Sequence, residues 1–177
     1  FGYVPDAEID EDATILPYLS GYQTTLDYAV RKTYWPNIDL IPACLALYDA
    51  ELAIVVHLAA QQDVEKRVQF FMELKYGLQT VADNYDVILL DSPPALGMIS
   101  INVLMAADAL LVPSAARMFD FSSTVQFFRM VHNYIGKIDA NKQYRWISVL
   151  TTRFDQRYES QKQFVEVMRT CFGDSMS

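Results

Sequence analysis

The fold that this sequence predicts depends first on residues 86–97, DVILLDSPPALG. Four consecutive apolar residues, 87–90, are typical of a strand that is buried on both faces of a parallel sheet. The apolar run ends on a carboxylate, Asp91, and two prolines follow within three residues. Ligands of open α/β sheets bind at the carboxyl ends of the strands. Asp91 is therefore a candidate ligand-binding residue.

Two interpretations of Asp91 follow from its position. An acid at the end of such a strand commonly holds Mg²⁺, directly or through water, beside the phosphates of a nucleotide. Alternatively, its side chain caps the next turn. The following residues favour a functional loop, because Pro93 disfavours helical geometry at Ser92 and, with Pro94 and Gly97, predicts a stiff, extended turn. Such a loop can present backbone groups to a γ-phosphate and change shape when that phosphate leaves.

The rest of the chain predicts an α/β fold. Strands are expected at 38–43, 86–91, 109–112 (ended by Pro113) and 146–151, and helices at 13–20, 24–35, 45–61, 63–83 (capped by Asp63), 99–107, 122–135 and 159–171. Strands that alternate with helices and read as continuous apolar runs indicate a mainly parallel sheet flanked by helices.

The composition excludes several classes of protein. A chain of 177 residues, 52% apolar and 20% charged, is long enough for a core and is not of disordered type. Its longest apolar run, residues 52–60, is shorter than the roughly 20 residues of a membrane span, so we expect no stable membrane insertion. Cys44 and Cys171 lie far apart without a C-x-x-C pattern, which predicts free thiols in a cytoplasmic protein.

The charge is unevenly distributed along the chain. The net charge is −8, but residues 1–116 carry 5 basic and 16 acidic side chains, whereas residues 117–170 carry 9 basic and 5 acidic. The basic last third suits a surface that meets an anion such as nucleic acid. The same pattern also fits ordinary solvated faces, and the charge count leaves both interpretations open.

Several longer stretches resemble a known family. Residues 85–97, YDVILLDSPPALG, together with 106–114, AADALLVPS, resemble the ParA/MinD family of deviant P-loop ATPases, above all the ParA-type plasmid partitioning proteins and their RepA members. Residues 31–51 and 116–128 are similar to further parts of those proteins. The resemblance implies a P-loop NTPase-like fold, incomplete at both ends, with residues 1–84 as a helical region and 85–177 as the half that carries the Walker B acid.

The resemblance also implies roles for individual residues. Asp91 matches the Walker B acid that supports Mg²⁺, through a water molecule. The switch loop near the γ-phosphate and the attacking water is matched by Ser92, Pro93, Pro94 and Gly97. Thr152 and Arg153 match a strand end near the adenine of ATP, although Arg153 equally fits an ordinary surface residue.

The family's function is expected to follow the same resemblance. ATP would join two subunits into a homodimer, the dimer would bind DNA nonspecifically, and a ParB/RepB-type partner would stimulate hydrolysis. The cycle would partition plasmids or chromosomes in the bacterial cytoplasm, in association with the nucleoid. The residues expected to contact DNA are Arg157, Lys162 and Arg169.

One departure from the family pattern keeps two alternatives open. No K-G-G-x-G-K-[ST] phosphate loop occurs in the sequence, although its backbone amides and lysines would hold the phosphates. We therefore expect an internal fragment of a longer ATPase, and little ATP hydrolysis by these 177 residues alone. The alternatives are a non-catalytic remnant or binding module of the same fold, and a MinD-like positioning ATPase.

Overall fold

The computed structural model describes residue 3, residues 8–93 and residues 95–173. The chain divides into two compact units, Phe1–Ala106 and Ala107–Ser177. The first unit contains helices α1 (Leu16–Leu19), α2 (Leu47–Ala60), α3 (Val64–Gln79) and α4 (Met98–Ala106), strands β1 (Arg31–Lys32) and β2 (Asp39–Leu40), and 3₁₀ turns at Glu11–Ala13, Asp27–Ala29 and Ala82–Asn84. The second contains strands β3 (Leu110–Ala115) and β4 (Ile147–Thr152) and helices α5 (Met118–Ile138) and α6 (Glu159–Phe172).

The long helices of the first unit agree with the periodicity of the sequence. The expected cap of α3 is confirmed, because the Asp63 side chain accepts a hydrogen bond from the Glu65 amide at 2.9 Å. Helix α4 packs on α3 through Asn102, which is 1% exposed and accepts a hydrogen bond from the Leu74 amide at 3.2 Å. Met105, on the same helix, is fully buried. Local pattern and burial agree in this part of the chain.

The helix predicted at residues 24–35 is wrong. The structure has only a 3₁₀ turn there, followed by β1, which pairs antiparallel with β2. The turn is held by tertiary contacts, since Leu26 and Ala29 are fully buried and the Leu26 amide donates to Thr80 Oγ1 at 3.2 Å. Near the hairpin tip Asn37 has φ of +63°, in the left-handed region that Asn tolerates better than most residues.

Two neighbouring predictions also need correction. The strand expected at residues 38–43 is only two residues long, Asp39–Leu40. The helix expected at residues 13–20 consists of a 3₁₀ turn and the one-turn helix α1, with Pro17 in its first turn. Both segments are held by a core in which Tyr18, Leu19 and Val81 are buried together.

The strand predicted at residues 86–91 is wrong as well. The segment belongs to no strand, and no described residue pairs with it in a sheet. Val87 is 73% exposed and Leu89 is 90% exposed. An isolated apolar segment cannot satisfy its backbone groups as a strand does, because those hydrogen bonds come from a neighbouring strand.

The second unit is built on a parallel strand pair. Strands β3 and β4 align from Leu110 opposite Ile147 to Ala115 opposite Thr152, and Val149 is fully buried. Pro113 does not end β3 but lies inside it, which corrects the predicted boundary at residue 112.

Strand β3 tolerates Pro113 because of where its nitrogen lies. The Leu110 amide donates to Trp146 O at 3.1 Å, on the β4 side. Amides alternate along a strand, so the Pro113 nitrogen faces the opposite edge, where a missing N–H breaks no bond to β4.

The helices of the second unit lie in the expected order. Helix α5 begins four residues before the predicted start and ends three residues after the predicted end, and α6 buries Val165 and Met168. The Phe121 ring meets the Phe164 ring edge to face, with centroids 5.7 Å apart. Among the described residues, no helix has both the length and the apolar character needed to cross a membrane.

Candidate functional site

Asp91 has an exposed carboxylate at the start of the proline-containing loop. Within the described ranges, the carboxylate forms no hydrogen bond and no ion pair. The capping interpretation of Asp91 therefore finds no contact to support it. Both oxygens are available to a ligand, and an oxygen donor is the type that a hard cation such as Mg²⁺ prefers.

The far end of the loop is held by hydrogen bonds to one backbone carbonyl, that of Ala95. The Ala95 carbonyl accepts hydrogen bonds from the Gly97 amide at 3.0 Å and from Ser100 Oγ at 2.6 Å. Ser92 is exposed and Pro93 is half-buried, whereas Pro94 lies outside the described residues. The fixed point of this loop is consequently the start of α4.

A residue that sequence analysis missed also contacts the end of the loop. Glu51 of α2 accepts a hydrogen bond from the Ile99 amide through Oε1, at 3.2 Å. The carboxylate of Glu51 occupies the place that a Cβ on Gly97 would need. No local pattern signals this contact, because Glu51 and Ile99 are 48 residues apart in the sequence.

Thr152 and Arg153, expected near the adenine, lie at and just beyond the carboxyl end of β4. Thr152 is half-buried, whereas Arg153 is exposed and has φ of +51°, which is uncommon for a residue with a side chain. Next to them, the Thr151 Oγ1 atom is buried and has no hydrogen-bond partner among the residues described. Sequence analysis missed Thr151, since an unpaired hydroxyl is visible only once the neighbouring atoms are known.

The three expected DNA-contacting residues are exposed, and each pairs with a nearby acid. The ion pairs are Arg157–Asp155 at 2.6 Å, Lys162–Glu159 at 3.1 Å and Arg169–Glu166 at 2.8 Å. The Arg157 hydrogen bonds hold the pKa of Asp155 below its ordinary value. Exposed pairs of this kind are typically worth less than about 1 kcal/mol, so a phosphate group can compete for the basic partner. The DNA-binding role of these residues stays a prediction.

A parallel strand pair that alternates with helices, and an acidic loop that leads into a helix, are features of an α/β protein. The fold agrees with the structure titled cobyrinic acid a,c-diamide synthase from Mycobacterium smegmatis with bound ADP and magnesium. The TM-score is 0.77 at 22% sequence identity, over 97% of this chain and 63% of that chain. The α/β, P-loop NTPase-like fold expected from the sequence is therefore confirmed.

A family model described as "AAA domain" matches residues 6–144, and the chain belongs to that family. Protein SopA of Escherichia coli K12 is 35% identical over 93% of this chain. The chromosome partitioning protein ParA of Caulobacter vibrioides NA1000 is 28% identical over 92% of it. The chain spans 42% of SopA and 57% of ParA. The resemblance to the ParA/MinD family is confirmed by these matches.

Proposed function

We propose that this chain is part of a ParA-type ATPase that partitions plasmids or chromosomes. The observation that supports this most directly is the free carboxylate of Asp91 at the head of the loop. In addition, 92% of this chain aligns with a chromosome partitioning protein. Within the described residues that carboxylate is used neither in a cap nor in an ion pair, so both of its oxygens are available to a ligand.

The residues of the loop fit a Mg²⁺–ATP complex. Mg²⁺ keeps several of its waters and binds proteins through one or two carboxylates together with substrate phosphates, so a single exposed Asp91 suffices. The ion would neutralise charge that develops on the phosphates. Ser92, Pro93, Pro94 and Gly97 would form the loop beside the γ-phosphate.

The end of β4 is the candidate contact for the adenine. Thr152 is the last residue of β4, and Arg153 comes directly after it. Val149 of the same strand is fully buried, so the strand fixes the backbone that precedes both residues. The left-handed φ of Arg153 turns the chain immediately after the strand. A backbone that turns at the carboxyl end of a parallel strand presents polar groups where ligands of this fold class bind.

The proposed partition cycle is the one that the resemblance to ParA-type proteins implies. ATP would join two subunits, the dimer would bind DNA nonspecifically, and a ParB/RepB-type protein would stimulate hydrolysis and release. Arg157, Lys162 and Arg169 would contact phosphates, and binding would therefore weaken steeply with salt. The protein would act in the bacterial cytoplasm on nucleoid DNA.

The test is ATP hydrolysis by the full-length gene product with Asp91→Ala. We expect a fall in kcat of about 100-fold or more, because electrostatic stabilisation of the transition state is usually the largest catalytic contribution. Asp86→Ala is the matched control, since Asp86 is an exposed acid on the same segment, and it should change kcat less than about two-fold. Unchanged hydrolysis in Asp91→Ala would contradict the proposal.

A binding module of the same fold is the second candidate. It is favoured by one observation, the absence of a phosphate-loop pattern from these 177 residues. It predicts that the full-length gene product binds no ATP at millimolar concentration in equilibrium dialysis. Micromolar binding would exclude it.

A further inference from the structure

Helix α4 begins without a capping side chain of its own. Gly97 occupies the position before Met98, where Ser, Thr, Asp or Asn usually accepts a hydrogen bond from an amide of the first turn. Glu51 performs this role from another helix, because its Oε1 accepts from the Ile99 amide at 3.2 Å. A negative carboxylate also suits the positive end of a helix dipole.

Gly97 and Glu51 are sterically complementary. A Cβ at position 97 would collide with the Glu51 carboxylate. The backbone does not require glycine there, because the φ of Gly97 lies outside the left-handed region. A side chain at position 97 would therefore displace the Glu51 carboxylate, which is the end of a flexible side chain, without straining the backbone.

The contact fixes the end of the loop that starts at Asp91. The Ile99 amide is bound by Glu51, while Ser100 and Gly97 both donate to the Ala95 carbonyl. These bonds hold residues 95–100 together, and this held segment begins four residues after the exposed Asp91. Glu51 is half-buried, and no described basic side chain forms an ion pair with it.

We propose that Glu51 is a positioning residue for the Asp91 loop. It caps α4 from α2 and so makes the position of the loop depend on the position of α2. Its effect on catalysis rests on the function proposed above, whereas its effect on the loop does not. Glu51 itself touches neither nucleotide nor metal in this scheme.

The first test is hydrogen exchange measured on the full-length gene product, on peptides that cover residues 95–101. In Glu51→Ala we expect exchange about ten-fold faster, as for the loss of one hydrogen bond to a charged group. Glu51→Gln keeps an oxygen acceptor and should stay within about three-fold of the parent protein. Asp49→Ala is the matched control, because Asp49 is an exposed acid of the same helix whose side chain has no bonded partner within the described ranges.

A double-mutant cycle separates this contact from a general loss of stability. Gly97→Ala displaces the Glu51 carboxylate, so it should speed exchange of the same peptides by a similar factor. In the double variant Glu51→Ala/Gly97→Ala the exchange should be no faster than in either single variant, since both remove one interaction. Multiplicative effects would contradict the proposal, as would unchanged exchange in Glu51→Ala.

Steady-state ATP hydrolysis of the same variants tests the catalytic consequence. We expect Glu51→Ala to lower kcat about ten-fold with KM within about two-fold, and Glu51→Gln to restore kcat. Faster loop exchange with an unchanged kcat would overturn the positioning role. The two proposals fail separately: full activity in Asp91→Ala refutes the ATPase site, while the exchange cycle still decides whether Glu51 holds the loop.

Discussion

Residues 86–91 and strand β4 (Ile147–Thr152) both fall where the sequence predicts a strand, and they differ in structure. Four of the six residues are apolar in the first segment and three of the six in the second, and both segments end at a polar residue. In β4, Val149 is fully buried, and the strand pairs with β3 along its whole length. In residues 86–91, Leu89 is 90% exposed, and no described strand lies beside it. An apolar run is therefore suited to a strand, but only a partner makes it one.

The partner matters because a strand cannot satisfy its own backbone. Amides and carbonyls of a helix bond within the helix, whereas those of a strand need a neighbour. Two-stranded sheets are themselves only marginally stable without packing, and β3–β4 gains that packing from the buried Val149 and from α5. Within the described residues, the apolar residues 87–89 are exposed and have no strand partner.

The largest expected difference between the two regions is in amide exchange. Peptides that cover Ile147–Thr152 should exchange at least about 100-fold more slowly than peptides that cover residues 86–91, because paired core strands open only with much of the fold. Exchange mass spectrometry on the 177-residue chain measures both regions in one experiment. Equal protection would show that residues 86–91 are paired after all, and the comparison would be wrong.

The next largest effect is on the free energy of unfolding. Val149→Ala should cost about 2 kcal/mol, since it removes buried methyl groups and leaves a cavity. Leu89→Ala should cost less than about 0.5 kcal/mol in the same chain, as expected of an exposed position. Urea denaturation of both variants gives the two values, and a large cost for Leu89→Ala would mean that the side chain is buried in solution.

A smaller effect on the free energy of unfolding is expected for two threonine hydroxyl groups. One belongs to Thr124 of α5, which contacts β3, and the other to Thr151 of β4. Thr124 Oγ1 lies 2.9 Å from Ser114 Oγ and 2.8 Å from the Asp120 carbonyl oxygen, whereas Thr151 Oγ1 is buried without a partner among the described residues. Thr124→Val should cost about 1 kcal/mol, and Thr151→Val should be neutral or stabilising, because only the first breaks a hydrogen bond. Thermal unfolding of the two isosteric variants measures the difference; equal costs would indicate a partner for Thr151.

The smallest effect is on the pKa of Asp39, which binds the Tyr85 side chain just before residues 86–91. Tyr85 Oη donates to Asp39 Oδ2 at 2.8 Å, and Lys32 Nζ reaches the same atom at 2.8 Å. The Lys32 hydrogen bond, and after it the one from Tyr85, hold the pKa of Asp39 below its ordinary value. The resulting stabilisation is present above the ordinary pKa of an aspartate and is lost as the pH falls through the lowered pKa.

Tyr85→Phe should raise the pKa of Asp39 part of the way toward its ordinary value, with the Lys32 bond left in place. An NMR titration of the Asp39 carboxyl resonance measures the shift. If the pKa did not move, Tyr85 would not hold the start of the exposed segment. Lys32→Met is the matched comparison, and it should raise the pKa more, because its hydrogen bond is the larger cause.

Part of the candidate site could be predicted from sequence. The sequence placed Asp91 at the end of a predicted strand with a stiff turn after it; the structure has no strand there, but it leaves the carboxylate exposed at the head of the turn. Glu51 could not be found in this way, since its contact with Ile99 joins residues 48 positions apart. Thr151 could not be found either, because an unpaired hydroxyl is defined by its neighbours.

The sequence by itself determined the family, the long helices and the position of the acidic loop. Helices α2, α3, α4, α5 and α6 were predictable because their hydrogen bonds and apolar faces repeat within a few residues. Only the tertiary structure decided which apolar runs became strands, and it replaced the expected helix at residues 24–35 by a turn and a hairpin. The reason is that strand pairing, the Leu26–Thr80 bond and the Glu51–Ile99 bond all join distant residues. Local pattern carries no information about which distant residue will be present to complete such contacts.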